Sequence, residues 1–116
     1  MVVCWAQTLC LKDDPALIAK YEHLHANCWP EVLEALKAVG VLSMKIFRKG
    51  TRMFMYVETV DGFDPAVDFP RHLELSPKAV EWGKLCSSMQ VPAPEAGQGD
   101  WWTYMDEVYD FQSQYR

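Results

Sequence analysis

The distribution of apolar and polar positions divides the chain into strands and helices. The first segment, "VVCWAQTLCLK" (2–12), is rich in β-branched and aromatic residues and carries apolar side chains on both faces, as in a strand covered on both sides. Asp14 and Pro15 mark a helix start, because aspartate caps helices and proline suits the first helical position. The apolar residues that follow recur at helical spacing and predict one inward stripe: Leu17, Tyr21, Leu24 and Cys28.

Proline and glycine delimit the next elements. Pro30 offers no N–H and therefore breaks the first helix, while it suits the start of a second helix, "PEVLEALKAV", which Gly40 can end. The segments "VLSMKIFR" and "MFMYVETV" are predicted strands, joined by a tight "KGT" hairpin turn.

The second half of the chain is less regular. Residues 61–77 are turn-rich, and residues 77–90 ("PKAVEWGKLCSSMQ") predict a helix that Gly83 weakens. Residues 91–100 form a loop without apolar periodicity, and residues 101–111 ("WWTYMDEVYDF") predict the last strand.

The predicted order is β-α-β-β-α-β over a single domain, residues 1–116, with a broken first helix. Such a chain forms an antiparallel sheet with its helices on one face, an α+β ferredoxin-like sandwich. The other face of the sheet also needs cover, and a second copy of the sheet is the economical one. We therefore expect a homodimer of the dimeric α/β-barrel type, which covers these large side chains: Trp5, Met53, Met55, Tyr56, Trp101, Trp102 and Tyr104.

Composition narrows the classes of partner. The formal net charge is −5, so nothing favours nucleic acid or an anionic membrane, both of which demand a basic patch. No apolar run reaches membrane-spanning length, and the first ten residues do not resemble a secretory signal. The four cysteines lack metal-type spacing. We expect a cytoplasmic protein with reduced thiols and no metal.

The densest group of candidate functional residues is "YEHLHANCWPE" (21–31). Tyr21 and His25 are four residues apart and are therefore neighbours on a helix, while His23 lies about half a turn away and should face water. Trp29 would share the face of Tyr21 if the helix persisted that far. Spacing alone leaves two interpretations open: an aromatic core, or a pocket in which phenol, imidazole and indole converge.

The same block resembles the L-rhamnose mutarotase family. That family's pattern is tyrosine, three residues, histidine, three residues, Trp-Pro-Glu, and then a leucine-patterned helix that ends in glycine. The positions that match it in order and spacing are Tyr21, His25, Trp29, Pro30, Glu31, Leu36 and Gly40. Later landmarks match at Val57-Glu58 and Glu107-Val108.

The resemblance implies a small ferredoxin-like dimer that interconverts the α and β anomers of a monosaccharide without a cofactor. It implies that His25 is the catalytic acid/base residue and that Tyr21 holds the sugar. An imidazole titrates near neutrality and can move a proton in either direction. Trp29 and three further tryptophans are expected to contact the apolar side of a deoxy sugar: Trp82, Trp101 and Trp102.

The sequence also departs from the family pattern. Met44 stands where the family has a sugar-contacting tyrosine, and an adjacent tryptophan pair is reduced to Trp82. The stretch from Asp64 to Pro77 is longer than in the short bacterial members. These changes put the choice of sugar in doubt. Two alternatives stay open: a ferredoxin-like cyclase or monooxygenase for an aromatic substrate, supported by fold analogy alone, and a non-catalytic sugar-binding homologue.

Overall fold

The computed structural model describes residues 2–115 and contains an antiparallel sheet with helices on one face. The strands are β1 (Val2–Leu11), β2 (Val41–Lys49), β3 (Arg52–Val60), β4 (Gln90–Val91) and β5 (Thr103–Tyr104). The helices are α1 (Pro15–Ala26), α2 (Pro30–Ala38), α3 (Pro65–Leu75), α4 (Pro77–Ser87) and α5 (Phe111–Gln114).

Proline sets the start of each of the four longer helices. Pro15, Pro30, Pro65 and Pro77 all occupy first helical positions, where a missing N–H costs no hydrogen bond. The residue before proline is biased away from helical geometry, so each helix begins abruptly. The predicted break between α1 and α2 is confirmed: α1 ends at Ala26, and Pro30 begins α2.

Side-chain caps reinforce three of these starts. The Asp14 carboxylate accepts a hydrogen bond from the Ala16 N–H at 2.9 Å, and Ser76 Oγ accepts one from the Lys78 N–H at 3.1 Å. Caps of this kind contribute about 1 kcal/mol each. Trp29 occupies the cap position of α2 without such a bond, so its side chain is free to pack elsewhere.

The strand order is β2-β3-β1-β4, and β5 also pairs with β1. All pairings are antiparallel, with Leu9 opposite Met53 and Ile46 opposite Met55. The two central strands, β1 and β3, are neighbours in the sheet but are separated along the chain by α1, α2 and β2. This architecture confirms the expected α+β class.

Two apolar clusters fill the space between sheet and helices. The first joins β1 and β3 to α1, α2 and α4 through these buried residues: Leu9, Leu11, Tyr21, Val32, Met53, Trp82, Cys86 and Met89. The second lies towards the other end of the sheet and contains Val39, Val41, Met55, Val57 and Phe63. His23 is exposed on the far side of α1, as predicted.

The prediction of a turn-rich segment over residues 61–77 is wrong, because most of it forms α3. Asp64 accepts a hydrogen bond from the Ala66 N–H at 3.0 Å and Pro65 follows it, the same start that α1 uses. Pro70 inside the helix and the lack of a buried residue in α3 remove the usual helical pattern from the sequence.

The predicted last strand over residues 101–111 is much shorter in the structure. Only Thr103–Tyr104 pairs with β1, opposite Thr8 and Gln7. Cys10 and Leu11, on the same edge of β1, pair with β4 instead. β4 consists of the last residue of the predicted helix and the first residue of the predicted loop.

The set of side chains assigned to the uncovered sheet face is also wrong, except for Tyr56. Three of the seven lie in the space between the sheet and the helices: Trp101, Trp102 and Tyr104. Met53 and Met55 are 1% and 8% exposed and belong to the cores beneath the helices. Trp5 lies opposite Val57 and packs on the same side. Apolar side chains occupy both faces of these strands, so the face that meets the helices could not be chosen from the pattern.

The face away from the helices, here called the outer face, carries Cys4, Lys45, Phe47, Phe54, Tyr56 and Glu58. None of these residues belongs to either apolar core of the described chain. The Phe47 and Phe54 rings lie 6.1 Å apart, and Tyr56 donates a hydrogen bond to Glu58 at 2.8 Å. Phe47 is 54% exposed.

Two further properties concern the whole described chain. All four cysteines carry free thiols between residues 2 and 115. No helix in this range combines the length and apolar character that crossing a membrane requires.

The turn after α2 generates a stability prediction. Gly40 has φ 113°, and a Cβ there would lie 2.8 Å from Val60 Cγ2 and 3.3 Å from the Phe63 ring. Gly40→Ala should lower the free energy of unfolding by about 2–3 kcal/mol, from backbone strain plus the clash. Gly50→Ala is the matched control, since Gly50 also has positive φ but has open space around it. If urea denaturation shows equal losses of unfolding free energy in the two variants, the proposed clash of a Cβ at position 40 is contradicted.

Candidate active site

A cavity of about 1070 Å³ lies between the sheet and the helices. Its volume is at the upper end for small-molecule sites. The lining includes residues from α1 (Tyr21, His25), β1 (Gln7), β2 (Met44, Ile46), α4 (Trp82, Cys86), β4 (Gln90) and the final segment (Trp101, Trp102, Tyr104). Every layer of the fold therefore contributes to this cavity.

Tyr21 and His25 form a stacked pair at the cavity wall. Their ring centroids are 4.1 Å apart with an interplanar angle of 22°. The pairing follows from helical spacing, which places residues four apart above one another. Tyr21 is 3% exposed and His25 is half-buried, so the pair is anchored in the core and open towards the cavity.

A backbone hydrogen bond determines the tautomer of His25. Its Nδ1 lies 2.9 Å from the carbonyl oxygen of Tyr21, which can only accept. Nδ1 therefore carries the proton, and in the neutral ring Nε2 holds a free lone pair. Burial lowers the pKa of His25 below its ordinary value, an effect that the hydrogen bond to Tyr21 partly offsets. At neutral pH the imidazole is thus uncharged and can act as a base through Nε2.

The hydroxyl of Tyr21 belongs to a chain of hydrogen bonds. Gln90 Nε2 lies 3.0 Å from Tyr21 Oη, and Trp101 Nε1 lies 2.6 Å from Gln90 Oε1. Burial, and secondarily the neighbouring Cys86 thiol, raises the pKa of Tyr21 above its ordinary value. The phenol therefore stays protonated at neutral pH.

The tryptophan contacts differ from the arrangement expected from spacing. α1 ends at Ala26, and Trp29 does not line the cavity. It packs edge-on against Trp82, with centroids 5.1 Å apart, and Lys78 Nζ lies 5.3 Å from the Trp29 ring. Trp82 supplies the indole beside the histidine, 5.1 Å from His25. Trp29 thus supports Trp82 from behind.

The other two predicted tryptophans do reach the cavity. Trp102 is half-buried and packs against both apolar cores. Trp101 is 41% exposed and is held by its bond to Gln90. Met44 also lines the cavity and presents a thioether, where the resemblance to the family had indicated the loss of a hydroxyl.

Sequence reasoning missed two buried glutamines in this cavity. Gln7 is 3% exposed, and among residues 2–115 its Nε2 contacts only a weak acceptor, Met55 Sδ, at 3.6 Å. Gln90 is 5% exposed. A signal for Gln7 was present: it shares strand parity with Leu9 and Leu11, both buried, so an amide there faces the core.

The helix α3 forms the remaining wall. Phe69, Pro70 and Leu73 line the cavity from this side, and Phe69 packs edge-on against Phe63 at 5.0 Å. Within residues 2–115 no group of three or more histidine, cysteine or acidic side chains is arranged to hold a metal ion. The cavity is lined by two imidazoles, two phenols and two amides, together with the side chains of Lys37, Ser43 and Ser87.

Sequence comparison identifies relatives over nearly the whole chain. The family model for L-rhamnose mutarotase matches residues 4–111. A UPF0734 protein of Dictyostelium discoideum is 47% identical over 109 residues, which cover 91% of this chain and 87% of that protein. The L-fucose mutarotase of Xanthomonas campestris pv. campestris is 33% identical over 109 residues, covering 89% and 86%.

Solved structures show the same fold. An L-rhamnose mutarotase from Formosa agariphila superposes with a TM-score of 0.67 at 17% identity, over 94% of this chain and 98% of that one. The tetracenomycin F2 cyclase of Streptomyces glaucescens, a type II polyketide cyclase, gives 0.61 at 14% identity over 94% and 96%. At such identities these two likenesses concern the fold alone. The sequence match over residues 4–111 decides the family, and the chain belongs to the L-rhamnose mutarotase family.

Proposed function

We propose that this protein is a sugar mutarotase that interconverts the α and β anomers of L-rhamnose, L-fucose or a related deoxy aldose. One observation carries the proposal: His25 presents an uncharged Nε2 beside a stacked, protonated Tyr21 in a cavity. Family membership and the L-fucose mutarotase relative support the same reaction class. The cyclase alternative rests on fold alone and has no comparable support.

The proposed reaction needs one proton to leave the sugar and one to enter it. His25 Nε2 takes the proton of the C1 hydroxyl while the bond from C1 to the ring oxygen breaks, and the imidazolium so formed then gives that proton to the ring oxygen. The aldehyde group at C1 then turns about its bond to C2. Ring closure on the other carbonyl face reverses both transfers, and the imidazole returns its proton to the new C1 hydroxyl. A neutral histidine suits this cycle because it recovers its starting state in each turnover.

The remaining side chains hold the sugar. Tyr21 offers its hydroxyl to a sugar oxygen, and Gln7 has amide hydrogens without a strong protein acceptor. Trp82, Trp101 and Trp102 provide aromatic surface for the apolar face and methyl group of a deoxy sugar. Trp29 acts through Trp82.

We also propose that two copies pair through the outer face. The outer face carries two neighbouring aromatic rings, Phe47 and Phe54, which belong to neither apolar core. The segment after β5 also exposes apolar side chains that need cover: Met105, Val108, Tyr109, Phe111 and Tyr115. A second copy can cover sheet and segment at once, as large uncovered apolar surface usually marks an interface.

The first test concerns the catalytic residue. His25→Ala should slow anomer exchange by roughly a hundred-fold or more, because it removes the imidazole that stacks on Tyr21 at the cavity wall. NMR exchange between the anomeric protons of L-rhamnose and L-fucose measures the rate. Tyr21→Phe should cost less, since the ring and its stacking remain.

The control for this test is His23→Ala. His23 is exposed on the same helix, so the substitution should leave both exchange and thermal stability nearly unchanged. Full activity in His25→Ala, or a greater loss in His23→Ala, would defeat the assignment. Sugar-induced stabilisation without any exchange in the parent protein would indicate a non-catalytic binding protein instead.

A second test uses pH. His25 must be neutral to accept a proton, and burial lowers its pKa below the ordinary value near 6.5. The exchange rate should therefore persist below pH 6.5 and fall only as the pH drops through the lowered pKa. Titration of the His25 ring proton by NMR should give the same midpoint. A midpoint above 6.5 in both profiles would contradict the neutral-base mechanism.

A third test concerns assembly. Sedimentation at micromolar concentration should give about twice the 13.4 kDa mass of the chain. Phe47→Lys places a charge on the outer face and should shift the protein towards monomer, while Leu75→Lys, at an equally exposed position on α3, should not. A parent protein that sediments as a monomer rules out the proposed pairing.

A further inference from the structure

Gln90 lies between two aromatic side chains that both reach the cavity. It belongs to the two-residue strand β4, is 5% exposed, and contacts Tyr21 Oη on one side and Trp101 Nε1 on the other. A buried amide whose oxygen and nitrogen are both hydrogen-bonded has a defined orientation. Exchanging the positions of these two atoms would leave two mismatched polar contacts, at a cost of about 1–3 kcal/mol each.

The chemistry of the indole determines that orientation. Trp101 Nε1 carries one hydrogen and cannot accept, so the Gln90 atom 2.6 Å away must be the carbonyl oxygen. The amide nitrogen of Gln90 therefore faces Tyr21 at 3.0 Å. This nitrogen can only donate, so Tyr21 Oη is the acceptor of that bond.

The bond from Gln90 limits the directions in which the Tyr21 hydroxyl can point its own hydrogen. Since Oη accepts from Gln90, the hydroxyl cannot direct its own hydrogen towards that amide. Tyr21 and its partner Gln90 both line the cavity, so the hydrogen of the Tyr21 hydroxyl is available to a ligand there. Burial keeps this hydrogen on the phenol at neutral pH, because it raises the pKa of Tyr21.

The two stacked rings thus offer opposite hydrogen-bonding roles. His25 Nε2 accepts, as its Nδ1 hydrogen is directed to the carbonyl oxygen of Tyr21, and Tyr21 Oη donates. A cyclic hemiacetal has the complementary pair: a C1 hydroxyl that donates, and a ring oxygen that has no hydrogen and can only accept. The ring oxygen is also the atom that gains negative charge as the ring opens.

We propose that Gln90, held by Trp101, is a positioning residue that directs the Tyr21 hydroxyl to donate a hydrogen bond to the ring oxygen of the sugar. The proposal rests on the mutarotase function proposed above. It adds Tyr21 as the hydrogen-bond donor that complements the acceptor of His25. Gln90 itself does not touch the sugar in this arrangement; it acts through Tyr21.

The decisive substitution is Gln90→Glu, which keeps the shape and reverses the polarity. A carboxylate accepts from both Trp101 and Tyr21, so the hydroxyl turns its hydrogen away from the cavity. Anomer exchange should fall by roughly ten- to a hundred-fold, the range of one misdirected donor. Gln90→Met, which removes the amide without reversing it, should cost less than Gln90→Glu.

Two readouts separate positioning from a merely structural role. In the Tyr21→Phe background, Gln90→Glu should cause no further loss of exchange, because the hydroxyl it acts on is absent. Lowering the pH should also bring the exchange rate of Gln90→Glu closer to that of the parent, since a protonated carboxyl regains a hydrogen to donate. Melting temperatures recorded in parallel show whether each variant is folded.

The outcomes distinguish this inference from the function it rests on. Exchange in the parent protein tests the function, and the ratio of each variant to the parent tests the role of Gln90. Equal rates for Gln90→Glu and parent, or the same loss with and without the Tyr21 hydroxyl, overturn the inference while the mutarotase function stands. A parent that exchanges neither L-rhamnose nor L-fucose, and whose NMR spectrum is unchanged by either sugar, overturns both.

Discussion

The hydrogen bond from His25 Nδ1 to the carbonyl oxygen of Tyr21 is the interaction on which the site depends. It lies within a single helical turn, so it forms as soon as α1 forms. It stacks the imidazole on the phenol and leaves Nε2 as the free atom. The chemistry of the site is therefore oriented by local backbone structure, while the sheet and the other helices enclose it.

Enclosure changes the properties of these groups. An apolar surrounding disfavours charge, which lowers the pKa of the histidine and raises that of the tyrosine. Both side chains are consequently uncharged at neutral pH. A neutral acceptor and a neutral donor suit the proposed anomer exchange of an uncharged sugar, because no ion must be buried between turnovers.

The polar residues of the cavity are also constrained by burial. Both the oxygen and the nitrogen of the Gln90 amide are hydrogen-bonded, whereas the Gln7 nitrogen contacts only a thioether within the described part of the chain. A nearly buried amide without a strong partner costs stability unless a ligand or water completes its bonds. This contrast indicates that Gln90 serves the architecture of the site and that Gln7 is open to a ligand.

The sequence alone determined the features that depend on neighbours along the chain. Capping aspartate and proline gave the start of α1, Pro30 separated it from α2, and helical spacing paired Tyr21 with His25 while placing His23 outside. These are local effects, since they follow from backbone geometry within one or two turns.

Only the tertiary structure decided which distant residues meet at the cavity. Gln90 is 69 positions from the Tyr21 hydroxyl it contacts, and Trp82 takes the place beside His25 that spacing had suggested for Trp29. α3, which has no buried residue, became a cavity wall because Phe69 packs on Phe63. The side of the sheet that meets the helices was likewise undecided, since both faces carry apolar residues. Such contacts depend on strand pairing and packing between elements, which local periodicity does not encode.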